Sequence, residues 1–315
     1  MTSDIEMIRP RNRSAWLAAR GQDVTASQIG ALFGEHEFLT TFEIWATKTG
    51  RLARSSEETP AMQRGRLLEP VAVQLLRERF PKWKVEHNAA ANIYFRDPAA
   101  RLGGTPDVIV NAPDRGRGVI QIKSVEASVF RHKWHDADVD EPQPPLWIAL
   151  QATLEAYLTS SSWAAVAPLV IGHGLEMPLI DIPLVPGVVE AMKVKAAEFW
   201  RLVAAGEEPP VDYRRDGEVL DRIYAQGDEA TEVDLSADNR IPTLVAERAF
   251  YRDAIATANR QVEAIDTEIK SKMRDAQVAH IPGGQKITWK PQKRAGFFVE
   301  PKTIRALRYP NEKAR

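Results

Sequence analysis

Apolar residues along this chain recur in two periods, and the shorter one marks its centre. Val108, Ile109 and Val110 form one β-type run, and Val119, Ile120 and Ile122 form another. Between them residues 112–118, Ala-Pro-Asp-Arg-Gly-Arg-Gly, are rich in types that turn a chain, so the pattern predicts an antiparallel hairpin. A symmetric turn would set Asn111 against Val119 and, counting back, Asp107 against Lys123. Side chains alternate along a strand, so Gln121 and Lys123 share one face while Ile120 and Ile122 share the other. Further strands are expected within 83–95, where Val85, Ile93, Tyr94 and Phe95 lie, and over 164–172 and 179–184.

The longer period marks helices. Trp16, Leu17 and Ala18 predict a short helix ending at Arg20-Gly21. Thr25 or Ser27 would cap a second, running through Ile29, Leu32 and Phe33 to Gly34. Residues 40–50 continue the helical pattern. Leu68, Val71, Ala72, Leu75 and Leu76 give the apolar face of another helix, which either starts or bends at Pro70. Glu69 lies beside that face, either as a helix N-terminal charge or as a carboxylate pointing inward. After a Pro-rich break at 142–145, Trp147, Leu150, Leu154, Tyr157 and Leu158 mark a buried stripe with Gln151 inside it. A polar group there is costly unless it has partners.

Residues 188–205 read as an amphipathic helix that closes a core, and 206–242, rich in charge, Gly and Pro, as a connector. Tyr251, Ile255, Ala258, Val262, Ile265 and Ile269 form a heptad stripe on a helix from about 242 to 279, roughly 50 Å long. That stripe would pack back onto its own chain or against another subunit or partner. The tail from Gly283 reads as a closing β-hairpin. The expected organisation is therefore a core over 1–205, a connector over 206–242 and a helical and β-hairpin extension over 243–315.

Composition narrows the chemistry. The 315 residues include no cysteine, which excludes disulfides, thiolate zinc sites and cysteine-ligated iron–sulfur clusters. No stretch approaches the roughly 18 apolar residues of a membrane span, and the first residues lack a signal-peptide core, so a cytoplasmic protein is expected. The net charge of −1 makes no global case for nucleic acid. Residues 286–315, however, hold nine basic residues against two acidic ones, a local charge of +7 that is either solvated surface or a DNA contact.

Asp107, Gln121 and Lys123 on one sheet face bring together a carboxylate, an amide carbonyl and an ammonium, a candidate site for a divalent metal and water. Arg20, just upstream of a helix start, marks a candidate anion site. Pro106-Asp107, a hairpin and Gln121-Ile122-Lys123 together resemble the PD-(D/E)xK nuclease motif, with Gln121 where Glu is usual. The ordered segments VTASQIGALFG (24–34), KTG (48–50), GRLLEP (65–70), GGTPD (103–107), QIK (121–123) and QATLEAYL (151–158) extend the likeness. Over about residues 14–205, and more loosely to the C-terminus, the chain resembles the YqaJ-type viral recombinase family. These are phage alkaline exonucleases related to lambda exonuclease.

The resemblance implies an α+β, restriction-endonuclease-like core in which helices flank a central mixed sheet. It implies a Mg²⁺-dependent exonuclease, with Mn²⁺ as a substitute, that degrades linear double-stranded DNA from 5′ to 3′. The implied catalytic set is Glu69, Asp107, Gln121, Lys123 and Gln151, with Asp107, Gln121, the Ile122 carbonyl and Glu69 at the metal. Lys123 would orient or activate the attacking water, and Gln151 would position water or the backbone. Arg20, Ser27 and Thr105 would grip a 5′-terminal phosphate. The implied partners are DNA ends, a single-strand annealing protein and further copies of the chain in a ring, in a phage or prophage setting. Gln121 is the departure, since a neutral amide is a weaker Mg²⁺ ligand than a carboxylate. Two rival readings stand beside this one: an endonuclease on the same core, and a non-catalytic DNA-end-binding protein.

Overall fold

The computed structural model describes residues 4–53, 58–135, 141–227, 231–296, 298 and 305–309, without the side chains of Ala90 and Ala91. The chain divides into two compact units, Met1–Ile223 and Tyr224–Arg315.

The first unit opens with β1 (Glu6–Ile8), α1 (Arg13–Gly21), β2 (Val24–Thr25), α2 (Ala26–Leu32), α3 (Thr41–Lys48) and α4 (Pro60–Arg79). It continues through β3 (Lys84–His87), α5 (Asn88–Ala91), β4 (Tyr94–Asp97), β5 (Leu102–Gly104), β6 (Val108–Ala112) and β7 (Gly116–Glu126). Then come α6 (Ala127–Lys133), α7 (Leu146–Leu158), β8 (Trp163–Ile171), β9 (Leu175–Glu176), β10 (Ile180–Ile182), α8 (Val188–Ala205) and α9 (Gly217–Ile223).

The larger sheet has the order β10-β8-β7-β6-β3, with β9 pairing beside β8. Its long central strands β7 and β8 run parallel, and the other pairs are antiparallel. A parallel pair needs a crossover connection, which α6 and α7 supply. Alternation then divides the sheet's two faces. Val108, Val110, Ile120 and Ile122 pack with Ala72, Val73 and Leu76 of α4. Val119 and Val125 pack with Ile148, Ala152 and Ala156 of α7. Odd-numbered residues of β7 therefore face α7, among them Gln121 and Lys123. The smaller sheet, β1-β4-β5-β2, holds the segments that carry Asp23, Thr25 and Thr105 close to this layer. The fold is mixed α+β, a central mixed sheet between helices, as expected.

Several details differ from the sequence reading. The β6–β7 register pairs Asn111 with Arg117 and Val108 with Ile120, so Asp107 comes opposite Gln121 rather than Lys123. The turn is tighter than a symmetric 112–118 connection. Ala112 pairs with Gly116, leaving three loop residues, and Gly116 takes the positive φ of +75° that such a loop requires. The α4 helix starts at Pro60, capped by Thr59 Oγ1 on Met62 N at 3.2 Å, and passes through an exposed Pro70 instead of starting there. On its buried side Val73 replaces Val71, which is exposed. The stretch read as a connector contains α9 and the buried Asp216, which accepts from Thr40 Oγ1 at 2.5 Å.

The second unit contains α10 (Arg240–Met273), a 34-residue helix that ends six residues before the expected position, followed by β11 (Val278–His280) and β12 (Lys286–Thr288). Tyr251, Ile255, Val262 and Ile265 of the heptad stripe are exposed. The hairpin pairs β11 with β12, so Gly283 and Gly284, both at positive φ, form its turn rather than its start. Of the basic tail, Lys302, Lys313 and Arg315, with Glu300 and Glu312, lie outside the described residues.

Candidate active site

The site is built where β6 begins against the middle of β7. Ile122 N–H donates to Asp107 Oδ2 at 2.8 Å. Gln121 Nε2 donates to the same oxygen, and to the Ile122 carbonyl at 3.2 Å. From the facing helix, Gln151 completes a network of amides. Its Oε1 accepts from Lys123 Nζ at 3.0 Å, and its Nε2 donates to Gln121 Oε1 and to Glu155 Oε1, each at 2.9 Å. The Lys123 ammonium also lies 5.4 Å from the centre of the Trp147 ring. Helix α7 is held close by α2: a Cβ on Gly30 would stand 2.6 Å from Trp147 Cβ, so only glycine permits the crossing.

Burial sets the electrostatics. It pushes the Asp107 carboxyl up to about 7, with the Glu69 charge adding to the rise and Lys123 and the Ile122 N–H opposing it. Burial lowers the Lys123 ammonium, against the pull of Asp107, Glu155 and Glu69. Glu155 is raised to about 8 by burial and by the Asp107 charge, opposed by its bond from Gln151 and by Lys123 and Arg20. A carboxylate, a lysine and a second carboxylate thus titrate as one group of charges.

The other expected residues fall into place less uniformly. Glu69 on α4 lies within electrostatic reach of Asp107 but is bonded to His87 Nε2 at 2.6 Å. Arg20, Ser27 and Thr105 do come together. Arg20 donates to Ser27 Oγ at 3.2 Å and stacks 4.4 Å over Trp16, whose indole N–H donates to Thr105 Oγ1 at 3.1 Å. Lys48 of the KTG segment fastens the end of α1, donating to the Arg20 carbonyl at 2.8 Å. The α2 helix has only seven residues, so an anion held here would meet these side chains rather than a helix dipole.

A divalent metal suits the donors. The Asp107 carboxylate and the Ile122 carbonyl both reach the one Gln121 nitrogen, so two hard oxygens converge on a single point. Mg²⁺ takes one or two carboxylates and keeps several waters, and so needs few protein oxygens. Gln121 would join through its amide oxygen, which here faces Gln151. No three His, Cys, Asp or Glu side chains group to hold a metal among the described residues.

Three residues escaped the sequence reading: Glu155, His87 and Trp16. Glu155 had a signal, standing four residues after Gln151 and so on the same helix face. Trp16 carries only an apolar signal in the sequence, and nothing there sets His87 apart.

Residues 15–160 match the YqaJ-like viral recombinase domain. The chain is also similar to the protein YqaJ of Bacillus subtilis, at 25% identity over 301 residues, covering 92% of this chain and 88% of that protein. Among solved structures it is similar to an alkaline exonuclease from Laribacter hongkongensis, at 20% identity and a TM-score of 0.44, over 61% of this chain and 93% of that one. No described helix is long and apolar enough to cross a membrane.

Proposed function

From the premise that residues 15–160 carry a YqaJ-like viral recombinase domain, we propose that the protein is a divalent-metal-dependent nuclease. It releases nucleotides from linear duplex DNA, 5′ to 3′, and so exposes single strands for recombination. The observation that carries this reading is the hydrogen-bonded chain Asp107–Gln121–Gln151–Lys123, set around two converging oxygens.

Asp107, the Ile122 carbonyl and Gln121 would hold Mg²⁺ or Mn²⁺. When bound, the cation polarises the phosphodiester and lowers the pKa of a coordinated water. Lys123, steered by Gln151, orients that water and offsets charge developing on the phosphate. Glu69, within reach of Asp107, adds negative charge on the metal side. Arg20, Ser27 and Thr105 hold the terminal phosphate. Contacts to phosphate carry no sequence information, which suits degradation of any DNA. A single-strand annealing protein would take the exposed strand. A ring of copies, for which the exposed stripe on α10 offers a surface, would keep the enzyme on its product.

Linear duplex labelled at either end, with a closed circular duplex beside it, tests the reading with and without Mg²⁺. Metal-dependent release of 5′ label with the circle intact is expected. Cleavage of the circle would establish the endonuclease instead. The end-binding alternative draws on the Gln121 amide nitrogen pointing at Asp107, and it predicts retention of ends without release.

A further inference from the structure

Glu155 is the one acidic side chain at the core of α7, with 1% exposure. Its Oε1 accepts from Gln151 Nε2 at 2.9 Å, while its Oε2 is buried without a hydrogen-bond partner among the described residues. Its stem packs beside the backbone of the phosphate-side segments. Its Cγ is 3.6 Å from where a Cβ on Gly104 would stand, and Ala26 Cβ is 3.3 Å from that same point. Ala26 and Gly104 directly precede Ser27 and Thr105, so Glu155 sits between the phosphate group of residues and the Asp107 group.

A buried carboxylate with an unmet oxygen destabilises a fold, so packing does not explain it. Hydrogen-bond polarity does. A primary amide presents one donor end and one acceptor end, and Gln151 has three neighbours to satisfy. Lys123 can only donate when charged, so it requires the Gln151 oxygen. Glu155 meets Gln151 through Oε1, which accepts whether the carboxyl is charged or carries its proton on Oε2, so it requires the Gln151 nitrogen. With Glu155 in place both demands agree, and the amide has one orientation. With an apolar residue at 155 only Lys123 and Gln121 would act on it, and Gln121 is itself an amide that can present either end.

We propose that Glu155 is a positioning residue of this site, fixing the side-chain amide of Gln151 and through it the direction of the Lys123 ammonium. This rests on the nuclease reading above for its kinetic consequence but not for its structural one. It assigns α7 a carboxylate that acts two bonds away from the metal side, where β7 offers the neutral Gln121.

The test compares wild type with Glu155→Leu, Glu155→Gln, Gln151→Ala and the double variant Glu155→Leu/Gln151→Ala. In metal-free protein, the Gln151 side-chain amide protons should exchange slowly with solvent in wild type and faster in Glu155→Leu, with no loss of melting temperature. With Mg²⁺ and linear duplex, Glu155→Leu should lower kcat by about tenfold with KM unchanged. Glu155→Gln, whose amide can accept from Gln151 but can also turn its donor end, should recover only part of that loss. In the Gln151→Ala background Glu155→Leu should add nothing, because its action runs through Gln151. A wild-type kcat in Glu155→Leu, or an undiminished further loss in the double variant, would overturn the proposal. So would unchanged amide exchange. Should wild type release no nucleotide at all, the nuclease reading fails, and the amide exchange alone still decides the role of Glu155.

Discussion

The Ile122 backbone N–H holds Asp107 Oδ2 at 2.8 Å, so the carboxylate is anchored by the facing strand's main chain as well as by the Gln121 side chain. The main-chain anchor survives substitution at 121 or 123. The isosteric Asp107→Asn should therefore fold and melt at or above the wild-type temperature near pH 8, since it removes a buried carboxyl. It should nonetheless lose the anion that draws the metal, cutting nucleotide release by at least about a hundredfold. Near-native release by folded Asp107→Asn would remove Asp107 from the site.

Raised carboxyl pKa values make stability depend on pH. Asp107 is pushed up to about 7 and Glu155 to about 8, each by burial first. Both exceed the ordinary carboxyl values, so the folded protein binds these protons more tightly than the unfolded chain. Their contribution is complete below about pH 4 and is lost as pH rises through the folded values. The melting temperature of metal-free protein should fall from pH 5 to 8.5. Lys123, lowered by burial, acts in the opposite sense, so the informative comparison is Glu155→Gln, in which that carboxyl alone changes. The variant should show a shallower fall. An identical slope in both proteins would contradict the assignment.

Gln121→Glu removes the donor that Gln121 Nε2 gives Asp107 and sets two carboxylates face to face. Without metal the variant should melt below wild type. With Mg²⁺ the extra charge becomes an advantage, so the gain in melting temperature should exceed that of wild type. The Mg²⁺ concentration for half-maximal release should drop. An unchanged Mg²⁺ requirement together with a lower melting temperature would place residue 121 outside the metal's reach.

Much of this site was legible before the structure, for a reason visible in the hairpin. The expected register was wrong by two residues because the turn is a three-residue loop closed by Gly116, not a symmetric one. A slip of two preserves the face of every side chain, whereas a slip of one would have inverted them all. Asp107, Gln121 and Lys123 therefore still meet. Gln151 was legible because a polar residue inside an apolar stripe demands partners. Glu155 was not, because the stripe was assigned to one face while α7 is buried nearly all round, from Ile148 to Leu158. Trp16 was hidden by its own apolarity: only the fold reveals that its indole N–H reaches Thr105, 89 positions away in sequence.

The same Trp16 underlies a prediction about which DNA ends are used. Its ring carries the Arg20 guanidinium at 4.4 Å and its N–H holds Thr105, so one indole spaces the three phosphate-side residues. Arg20 also donates to Ser27, which shares a hydrogen bond with Thr25 Oγ1 at 3.1 Å. A terminal phosphate is a strong, charge-assisted partner for a guanidinium. Such an end carries more charge than an internal diester and can enter a pocket that a continuing strand cannot. A charge-assisted contact contributes about 1.5–3 kcal/mol, or roughly 10- to 150-fold in rate if fully expressed in the transition state. Wild type should prefer 5′-phosphate over 5′-hydroxyl ends by a factor in that range. Arg20→Ala should erase most of the preference while slowing 5′-hydroxyl ends far less, and Arg20→Lys, which keeps the charge but not the planar fork, should fall between. Trp16→Phe keeps the stacking ring and loses only the bond to Thr105, so it should weaken the preference less than Arg20→Ala. If wild type digests both ends equally, or Arg20→Ala slows both by one factor, Arg20 does not anchor the phosphate.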